Sequence, residues 1–289
     1  MKESILYKKL PDNKVQCQTC SHYCILKENQ KGICAVRENK GGKLYSLNYK
    51  KCIALNIDPI EKKPLYHFLP GTQTLSIAAS GCNFKCWSCQ NWQISQGPSL
   101  FNRIEGENLS PEDAVKFALK NKLPSISYTY TEPTVFLEYA LETMKLAKGL
   151  KNIWVSNGFF SKETAKLVFP CLDAINIDLK SFNDDFYRKY CGGALKPVLE
   201  NLKRINKEKI WLEITTLIIP GFNDSEEEIR KIAQFIKKLN PKIPWHISRF
   251  SGAISWKFQD IPNTSLKTLY QAEKIGKKAG LKNIHLGNI

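Results

Sequence analysis

Apolar runs alternate with helical patterns along the last three quarters of the chain. Short, mainly apolar runs that are bounded by polar and turn-forming residues are typical of buried strands. Serine N-caps mark the starts of intervening helices at Ser110, Ser161 and Ser225. Two further helices are predicted at 133–148 and 264–280. The predicted strands are 74–79, 125–130, 152–156, 173–179, 210–219, 244–250 and a short last one near 283–287.

This alternation predicts the α/β class, because a strand followed by a helix returns to a parallel neighbouring strand by a right-handed crossover. We expect a partial (β/α)6 TIM-like barrel of about six strands. A doubly wound open sheet is the rival architecture, but no phosphate-binding glycine loop follows the first strand. In barrels of this kind the chemistry lies at the carboxyl ends of the strands.

Composition divides the chain into three parts. Residues 1–52 form a small, cysteine-rich N-terminal segment, which we expect to bind metal. Residues 53–72 contain three prolines and predict a structured connection. Residues 73–289 form the predicted barrel.

Three cysteines follow the first predicted strand directly. Cys82, Cys86 and Cys89 have the spacing C-x3-C-x2-C, which suits three irons of a [4Fe–4S] cluster. The fourth iron is then open to a chelating amine and carboxylate, such as those of S-adenosylmethionine (SAM). A zinc site is the alternative, but it needs a fourth ligand and no Cys or His lies between Asn91 and Lys151.

A second cysteine group lies in the N-terminal segment. Its spacings are those of a small metal-binding knuckle, and the metal is either zinc or an auxiliary iron–sulfur cluster. His22 is expected to be a bystander, because four cysteines already satisfy either metal. The predicted ligands are Cys17, Cys20, Cys24 and Cys34.

From about Cys17 to the C-terminus the chain resembles the radical-SAM superfamily. It is most similar to the archaeal-type pyruvate formate-lyase activating-enzyme-like group, which includes the radical-SAM member of the AmmeMemoRadiSam system. In one respect the chain departs from the motif: Ser88 stands before the third cysteine, where an aromatic residue usually lies near the SAM adenine. Here the aromatic residue, Trp87, comes one position earlier.

The resemblance implies a set of SAM-binding residues at the strand ends. Glu132-Pro133 resembles the end of the Gly-Gly-Glu-Pro turn that holds the SAM amino group, and Asn157 lies in a triplet similar to Thr-Asn-Gly. Strand alternation places Asp178 and Lys180 on one face, as in the Asp-x-Lys of activating enzymes. His246 resembles a histidine that these enzymes place against SAM.

Charge and compartment widen the set of expected partners. The net charge is +16, from 43 basic and 27 acidic residues, which favours anionic partners such as flavodoxin or ferredoxin as electron donor. Nucleic acid is the less favoured partner, since the lysines are spread in pairs. No apolar run is long enough for a membrane span, and no apolar core of a signal peptide is present. Ten cysteines without such a signal predict the reducing cytoplasm.

Three functions follow from these patterns. The leading hypothesis is an enzyme that reductively cleaves SAM to a 5′-deoxyadenosyl radical, which abstracts hydrogen from a substrate. By resemblance, that substrate is a glycine in a protein. The alternatives are a radical-SAM enzyme that modifies RNA, suggested by the charge, and a non-catalytic iron–sulfur or zinc scaffold protein.

Overall fold

A computed structural model describes all residues from 1 to 289. The chain forms two small N-terminal sheets and one large sheet with helices between its strands. None of these helices combines the length and apolar character that crossing a membrane requires. The strand and helix order confirms the predicted α/β class.

The N-terminal segment contains six short strands. They are β1 (Lys2–Glu3), β2 (Tyr7–Lys9), β3 (Val15–Cys17), β4 (Ile25–Leu26), β5 (Arg37–Lys40) and β6 (Lys43–Ser46). Two antiparallel sheets result, with the orders β1-β6-β5 and β2-β3-β4. Sheets this small have little core of their own, so the segment depends on packing against the rest of the chain.

The large sheet has nine strands. They are β7 (Lys51–Pro59), β8 (Gln73–Ala79), β9 (Glu107–Asn108), β10 (Ser125–Tyr128), β11 (Lys151–Ser156), β12 (Ala174–Asp178), β13 (Trp211–Ile218), β14 (Trp245–Arg249) and β15 (Ile284–Gly287). Their order is β15-β14-β13-β12-β11-β10-β8-β7-β9. The seven strands from β8 to β15, without β9, are parallel, so their carboxyl ends lie along one edge.

Eight α-helices connect the strands. They are α1 (Trp92–Leu100), α2 (Pro111–Lys120), α3 (Leu137–Leu146), α4 (Lys162–Val168), α5 (Asp184–Phe186), α6 (Leu195–Ile205), α7 (Glu226–Leu239) and α8 (Leu266–Ala279). Short 3-10 turns lie at Ile60–Lys62, Pro133–Phe136, Phe169–Cys171 and Gly252–Ile254, and a π-helical turn lies at Tyr187–Cys191.

All seven strands predicted from the apolar runs are present, with small shifts at their ends. The three serine caps are confirmed: Ser110, Ser161 and Ser225 each accept a hydrogen bond from the backbone N–H three residues later. Helix α8 also confirms the pattern at 264–280. The single helix expected at 133–148 is instead a 3-10 turn followed by α3. Helices α1, α5 and α6 were not predicted.

The stretch 53–72 was expected to be a connection, but most of β7 lies within it. This strand pairs antiparallel with β8 along its whole length. Prolines conceal the pattern, because Pro59 ends the strand and the other two follow it. Beyond the strand, Asn176 donates to the Pro64 carbonyl at 2.8 Å, so the segment also contacts the sheet at β12. The division into 1–52, 53–72 and 73–289 stays a prediction.

A buried ion pair joins the N-terminal segment to the large domain. Arg37 on β5 donates to both carboxylate oxygens of Glu138 on α3, at 2.9 and 2.7 Å, and to Ser4 at 2.6 Å. The two charged side chains are only 2 % and 1 % exposed. Burial by itself would raise the pKa of Glu138, but the Arg37 guanidinium brings it below its usual value. The guanidinium therefore stabilises the charged form of this buried carboxylate.

Removing the guanidinium tests how strongly this pair fixes the segment. Arg37→Met should lower the free energy of unfolding by about 3–5 kcal/mol, since it leaves the Glu138 carboxylate buried without a partner. The matched control is Lys277→Met, which breaks an exposed pair with Glu273 and should cost at most about 1 kcal/mol. Urea denaturation of both variants measures the difference. Equal, small losses would show that Glu138 reaches water when Arg37 is absent.

Candidate active site

The loop that carries Cys82, Cys86 and Cys89 leaves the carboxyl end of β8 and ends at α1. Gly81 opens it with φ +103°, a conformation that other residues rarely adopt. A Cβ atom there would lie 2.7 Å from Cγ1 of Val36 in the N-terminal segment. Glycine therefore lets the loop pass closely beneath that segment.

Of the three cysteines of this loop, Cys86 is buried, and Cys82 and Cys89 are partly buried. The backbone N–H of Phe84 donates to Cys82 Sγ at 3.4 Å, and Ser95 Oγ lies 3.5 Å from Cys89 Sγ. Burial raises the pKa of the Cys82 thiol, and nearby negative charge on Glu132 and the other two cysteines raises it further. Three neighbouring sulfur atoms with hydrogen-bond donors close by fit the thiolate ligands of an iron–sulfur cluster.

Glu132 lies in the next loop, beyond the carboxyl end of β10. Its carboxylate accepts from the backbone N–H of Asn157 at 2.8 Å, from the hydroxyl of Ser156 at 2.9 Å, and from both the N–H and hydroxyl of Thr134. The side chain is 1 % exposed. Burial raises the pKa of Glu132, although the hydrogen bonds oppose this shift. Glu132 therefore joins the loops after β10 and β11, and its predicted contact with SAM stays a prediction.

Asn157 connects the loop after β11 to the cysteine loop. Its Nδ2 donates to Asn83 Oδ1 at 2.7 Å and lies 3.9 Å from Cys82 Sγ. Its Oδ1 accepts from the backbone N–H of Phe159 at 2.9 Å, which fixes the amide orientation. The structure thus brings Asn157 and the cluster cysteines together, although residues 82 and 157 are far apart in sequence.

Asp178, the last residue of β12, forms an ion pair with Lys180, which lies two residues beyond the strand. Lys180 Nζ donates to Asp178 Oδ2 at 2.9 Å, and the side chains are 21 % and 36 % exposed. Burial lowers the pKa of Lys180, but negative charge on Asp178, Cys86 and Cys191 outweighs it and raises that pKa well above its usual value. The lysine is therefore a fixed positive charge next to Cys86.

His246 is engaged by a different set of residues. Its Nε2 lies 2.6 Å from Glu213 Oε2, and its ring packs against those of Tyr66 and His285. Glu213 also accepts from the backbone N–H groups of Tyr66 and His67, at 3.1 and 2.9 Å. None of the contacts of His246 is to the cysteine loop. Its predicted contact with SAM stays a prediction.

Sequence reasoning missed the residues on the other side of the cysteine loop. Cys191, at the end of the π-helical turn, is 2 % exposed and lies within hydrogen-bonding reach of the Cys86 thiol. Its carbonyl accepts from the Lys85 N–H at 2.7 Å. The Cys-Gly-Gly sequence at this position, shortly after the fourth predicted strand, is the signal that could have drawn attention to it.

Trp87 belongs to an aromatic cluster with Tyr190 and Phe258. Its ring centroid lies 5.3 Å from that of Tyr190 and 5.6 Å from that of Phe258. Lys257 places its ammonium 5.3 Å from the Trp87 ring centre. Trp87 therefore fixes the cysteine loop against the turns that precede α6 and α8.

Comparison with known proteins places this geometry in a family. Residues 76–236, more than half of the chain and including all three loop cysteines, match the Radical SAM superfamily. Over its full length the chain is 44 % identical to an uncharacterized protein of Methanocaldococcus jannaschii, of which the match covers 86 %. It is 23 % identical to the pyruvate formate-lyase-activating enzyme of Clostridium pasteurianum, over 72 % of this chain and 92 % of that enzyme.

A second activating enzyme and two solved structures extend the comparison. The isethionate sulfite-lyase activating enzyme of Oleidesulfovibrio alaskensis is 35 % identical over 48 % of this chain and 47 % of that enzyme. Streptococcus suis SuiB bound to S-adenosylmethionine superposes with a TM-score of 0.53 at 16 % identity, over 71 % of this chain and 48 % of that one. A domain of the pyruvate-formate lyase-activating enzyme from Bacteroides vulgatus gives 0.50 at 21 %, over 57 % and 99 %.

These structural likenesses show a shared fold, and the sequence match covers the thiols that the fold brings together. The same parallel sheet carries the cysteine loop at the carboxyl end of its first parallel strand. The chain belongs to the radical SAM superfamily, whose members use a [4Fe–4S] cluster and S-adenosylmethionine.

Proposed function

We propose that this protein reductively cleaves SAM and uses the resulting 5′-deoxyadenosyl radical to abstract hydrogen from a glycine of a protein substrate. The observation that carries the proposal is the loop at 81–89, which places three cysteines at C-x3-C-x2-C spacing directly after the carboxyl end of β8. We assign Cys82, Cys86 and Cys89 as ligands of three irons of the cluster. The difficult radical chemistry is supplied by the bound cofactors, while the chain binds and orients them.

The charged groups beside the cysteine loop suit the two ends of the methionine moiety of SAM. Lys180 is a positive charge next to Cys86 and can meet the SAM carboxylate, and Asp178 can meet the ammonium. Asn157 lies against Cys82 and keeps the neighbouring loop in register. On this assignment Glu132 positions Asn157. The partly exposed Asp178–Lys180 ion pair separates when SAM binds.

Glycine is proposed as the site of hydrogen abstraction because two matched relatives are activating enzymes of lyases. The names of these two relatives specify pyruvate formate-lyase and isethionate sulfite-lyase as the enzymes that they activate. The partial (β/α)6 barrel suits a protein loop as substrate: the order of the large sheet begins at β15 and ends at β9, so the sheet has two edges.

A basic aromatic surface next to the cysteine loop supports an anionic electron donor such as flavodoxin or ferredoxin. Lys257 lies over Trp87, and Lys189 lies 5.2 Å from the ring centre of Tyr190, while these two rings contact each other. Positive charge at such a surface accelerates association with an acidic partner. All ten cysteines are free thiols, which suits the reducing cytoplasm predicted from the sequence.

The cluster assignment predicts an all-or-none effect of the three loop cysteines. Anaerobic reconstitution should add about four irons at this site, and replacing any one of Cys82, Cys86 or Cys89 with Ala should abolish SAM cleavage. Cys171→Ala is the matched control, because Cys171 lies in the 3-10 turn before β12, outside the cysteine loop. Methionine and 5′-deoxyadenosine are quantified by mass spectrometry alongside iron content. Turnover retained in a loop variant would refute the assignment.

The proposed role of the ion pair predicts a loss of SAM affinity without a loss of fold. Asp178→Asn and Lys180→Met should each raise the dissociation constant for SAM by roughly 10- to 150-fold, since a charge-assisted contact is worth about 1.5–3 kcal/mol. Lys151→Met, which breaks the exposed pair with Asp173, should leave affinity unchanged. Calorimetric titration and melting temperature are measured on the same samples. A purely structural pair would instead lower the melting temperature and leave the affinity of the folded fraction normal.

Isotope transfer tests the proposed glycine substrate. Protein fractions from cells grown on α-dideuterated glycine should pass deuterium to 5′-deoxyadenosine when mixed with reduced enzyme and SAM. Fractions labelled with deuterated alanine serve as the control and should pass none. Transfer from deuterated RNA would instead favour the RNA-modifying alternative, and transfer from neither polymer would reject both substrates.

A further inference from the structure

The four cysteines of the N-terminal segment line a single cavity. Cys17 lies at the end of β3, Cys20 and Cys24 follow in the turn before β4, and Cys34 precedes β5. All four thiols border the same space, together with Gly32 and the buried side chain of Arg37. A Cβ at Gly32 would lie 3.8 Å from Cys24 Sγ and 3.9 Å from Cys34 Sγ, so this glycine sits between two of the thiols.

The size of the cavity indicates how many atoms it can hold. Its volume is about 20 Å³. A water molecule needs roughly 10–15 Å³ on this measure, so the space suits one occupant of atomic size. A [4Fe–4S] cluster has eight core atoms, which is more than a space of this size holds. Cavity size therefore favours a single ion over an auxiliary cluster.

Backbone N–H donors lie near three of the four sulfur atoms. The backbone N–H groups of His22, Ile33 and Val36 lie within reach of the thiols of Cys20, Cys24 and Cys34, respectively. N–H donors aimed at sulfur stabilise thiolates, and such donors accompany the ligands of metal sites. In Arg37, Nε is buried and has no hydrogen-bond partner, although the other guanidinium nitrogens are bound. A positive group with a free donor at this cavity suits the negative charge of a tetrathiolate centre.

His22 lies at the cavity but is occupied elsewhere. Its Nε2 lies 2.8 Å from the carbonyl oxygen of Asn83, and its ring packs against Phe159. The four sulfur atoms are therefore the remaining candidate metal ligands in this cavity. As placed, no Cys, His, Asp or Glu side chains of the chain converge on one ion-binding point. Binding of an ion would draw the four thiols inward by rotation about their Cα–Cβ bonds.

We propose that Cys17, Cys20, Cys24 and Cys34 bind one zinc ion in a tetrahedral, structural site. Four cysteines at C-x2-C-x3-C followed by a fourth are a zinc ligand set, and thiolate ligands select this metal. Because the four ligands leave no open position, the ion holds the segment together and does not take part in chemistry.

The zinc centre supports the radical-SAM site through the loops beneath it. Beside the ligands, Ser21 donates to the Phe159 carbonyl at 2.9 Å, and Cys20 forms a β-bridge with Phe160. On the other side, the Cys34 carbonyl would lie 3.2 Å from a Cβ at Gly81, at the start of the cysteine loop. The knuckle thus rests on both the loop at 81–83 and the loop at 157–160. The proposed zinc site does not depend on the proposed reaction.

Metal content distinguishes the zinc site from the SAM cluster. The holoenzyme, expressed with equal zinc and iron in the medium, should contain one zinc per chain besides about four irons. Cys17→Ser/Cys20→Ser should lose the zinc and melt at a lower temperature, while it keeps most of the iron and part of its SAM binding. Cys171→Ser, whose thiol lies outside the cavity, should keep the zinc. Zinc, iron and acid-labile sulfide are measured by mass spectrometry and colorimetry.

A second variant tests the zinc site independently if the double serine variant fails to fold. Cys82→Ala/Cys86→Ala/Cys89→Ala removes the SAM cluster and should retain one zinc and no sulfide. Cobalt(II) added to this variant after removal of zinc should bind at one equivalent, with the absorption of tetrahedral thiolate coordination. Iron with sulfide in this variant, iron in place of zinc, or no metal at all would each overturn the proposal. These outcomes leave the proposed glycine reaction untouched, since it rests on the other three cysteines.

Discussion

The carboxylate of Glu132 is the point at which the loops at the carboxyl edge of the sheet are held together. It is buried and has no cationic partner, so its charge is balanced only by hydrogen bonds from Thr134, Ser156 and Asn157. A buried carboxylate costs several kcal/mol unless such donors surround it. Each donor is therefore fixed in place, and Asn157 in turn contacts both Asn83 and Cys82. The geometry of the thiols depends on this chain of contacts.

The N-terminal segment packs against the loops of the same site. Arg37 fixes it to α3, while His22 and Ser21 contact the loops after β8 and β11. Two three-stranded sheets of this size bury too little apolar surface to fold by themselves. The Arg37–Glu138 ion pair and the proposed zinc centre would both hold this small segment in a defined position. The segment is therefore part of the construction of the active site.

A positive group and a fourth sulfur lie on the far side of the cysteine loop. Lys180 and Cys191 both lie next to Cys86, and the aromatic cluster of Trp87, Tyr190 and Phe258 covers the loop there. The two sides differ in character: the Glu132 side has no cation and is densely hydrogen-bonded, whereas the Lys180 side contains an ion pair and is more exposed. This asymmetry gives the negatively charged end of a small ligand one preferred direction beside the thiols.

The strands of the parallel sheet, three helix caps and the position of the cysteine loop after β8 could be predicted from the sequence. These features are local: an apolar run, a serine before a helix and the spacing of three cysteines need only neighbouring residues. Tertiary structure alone decided the pairing of β7 with β8, which prolines concealed, and the link between Glu132 and Asn157. It also decided that His246 meets Glu213 and that Cys191 meets Cys86. The physical reason is that these partners are 14 to 105 residues apart, and only the register and order of the strands bring them together.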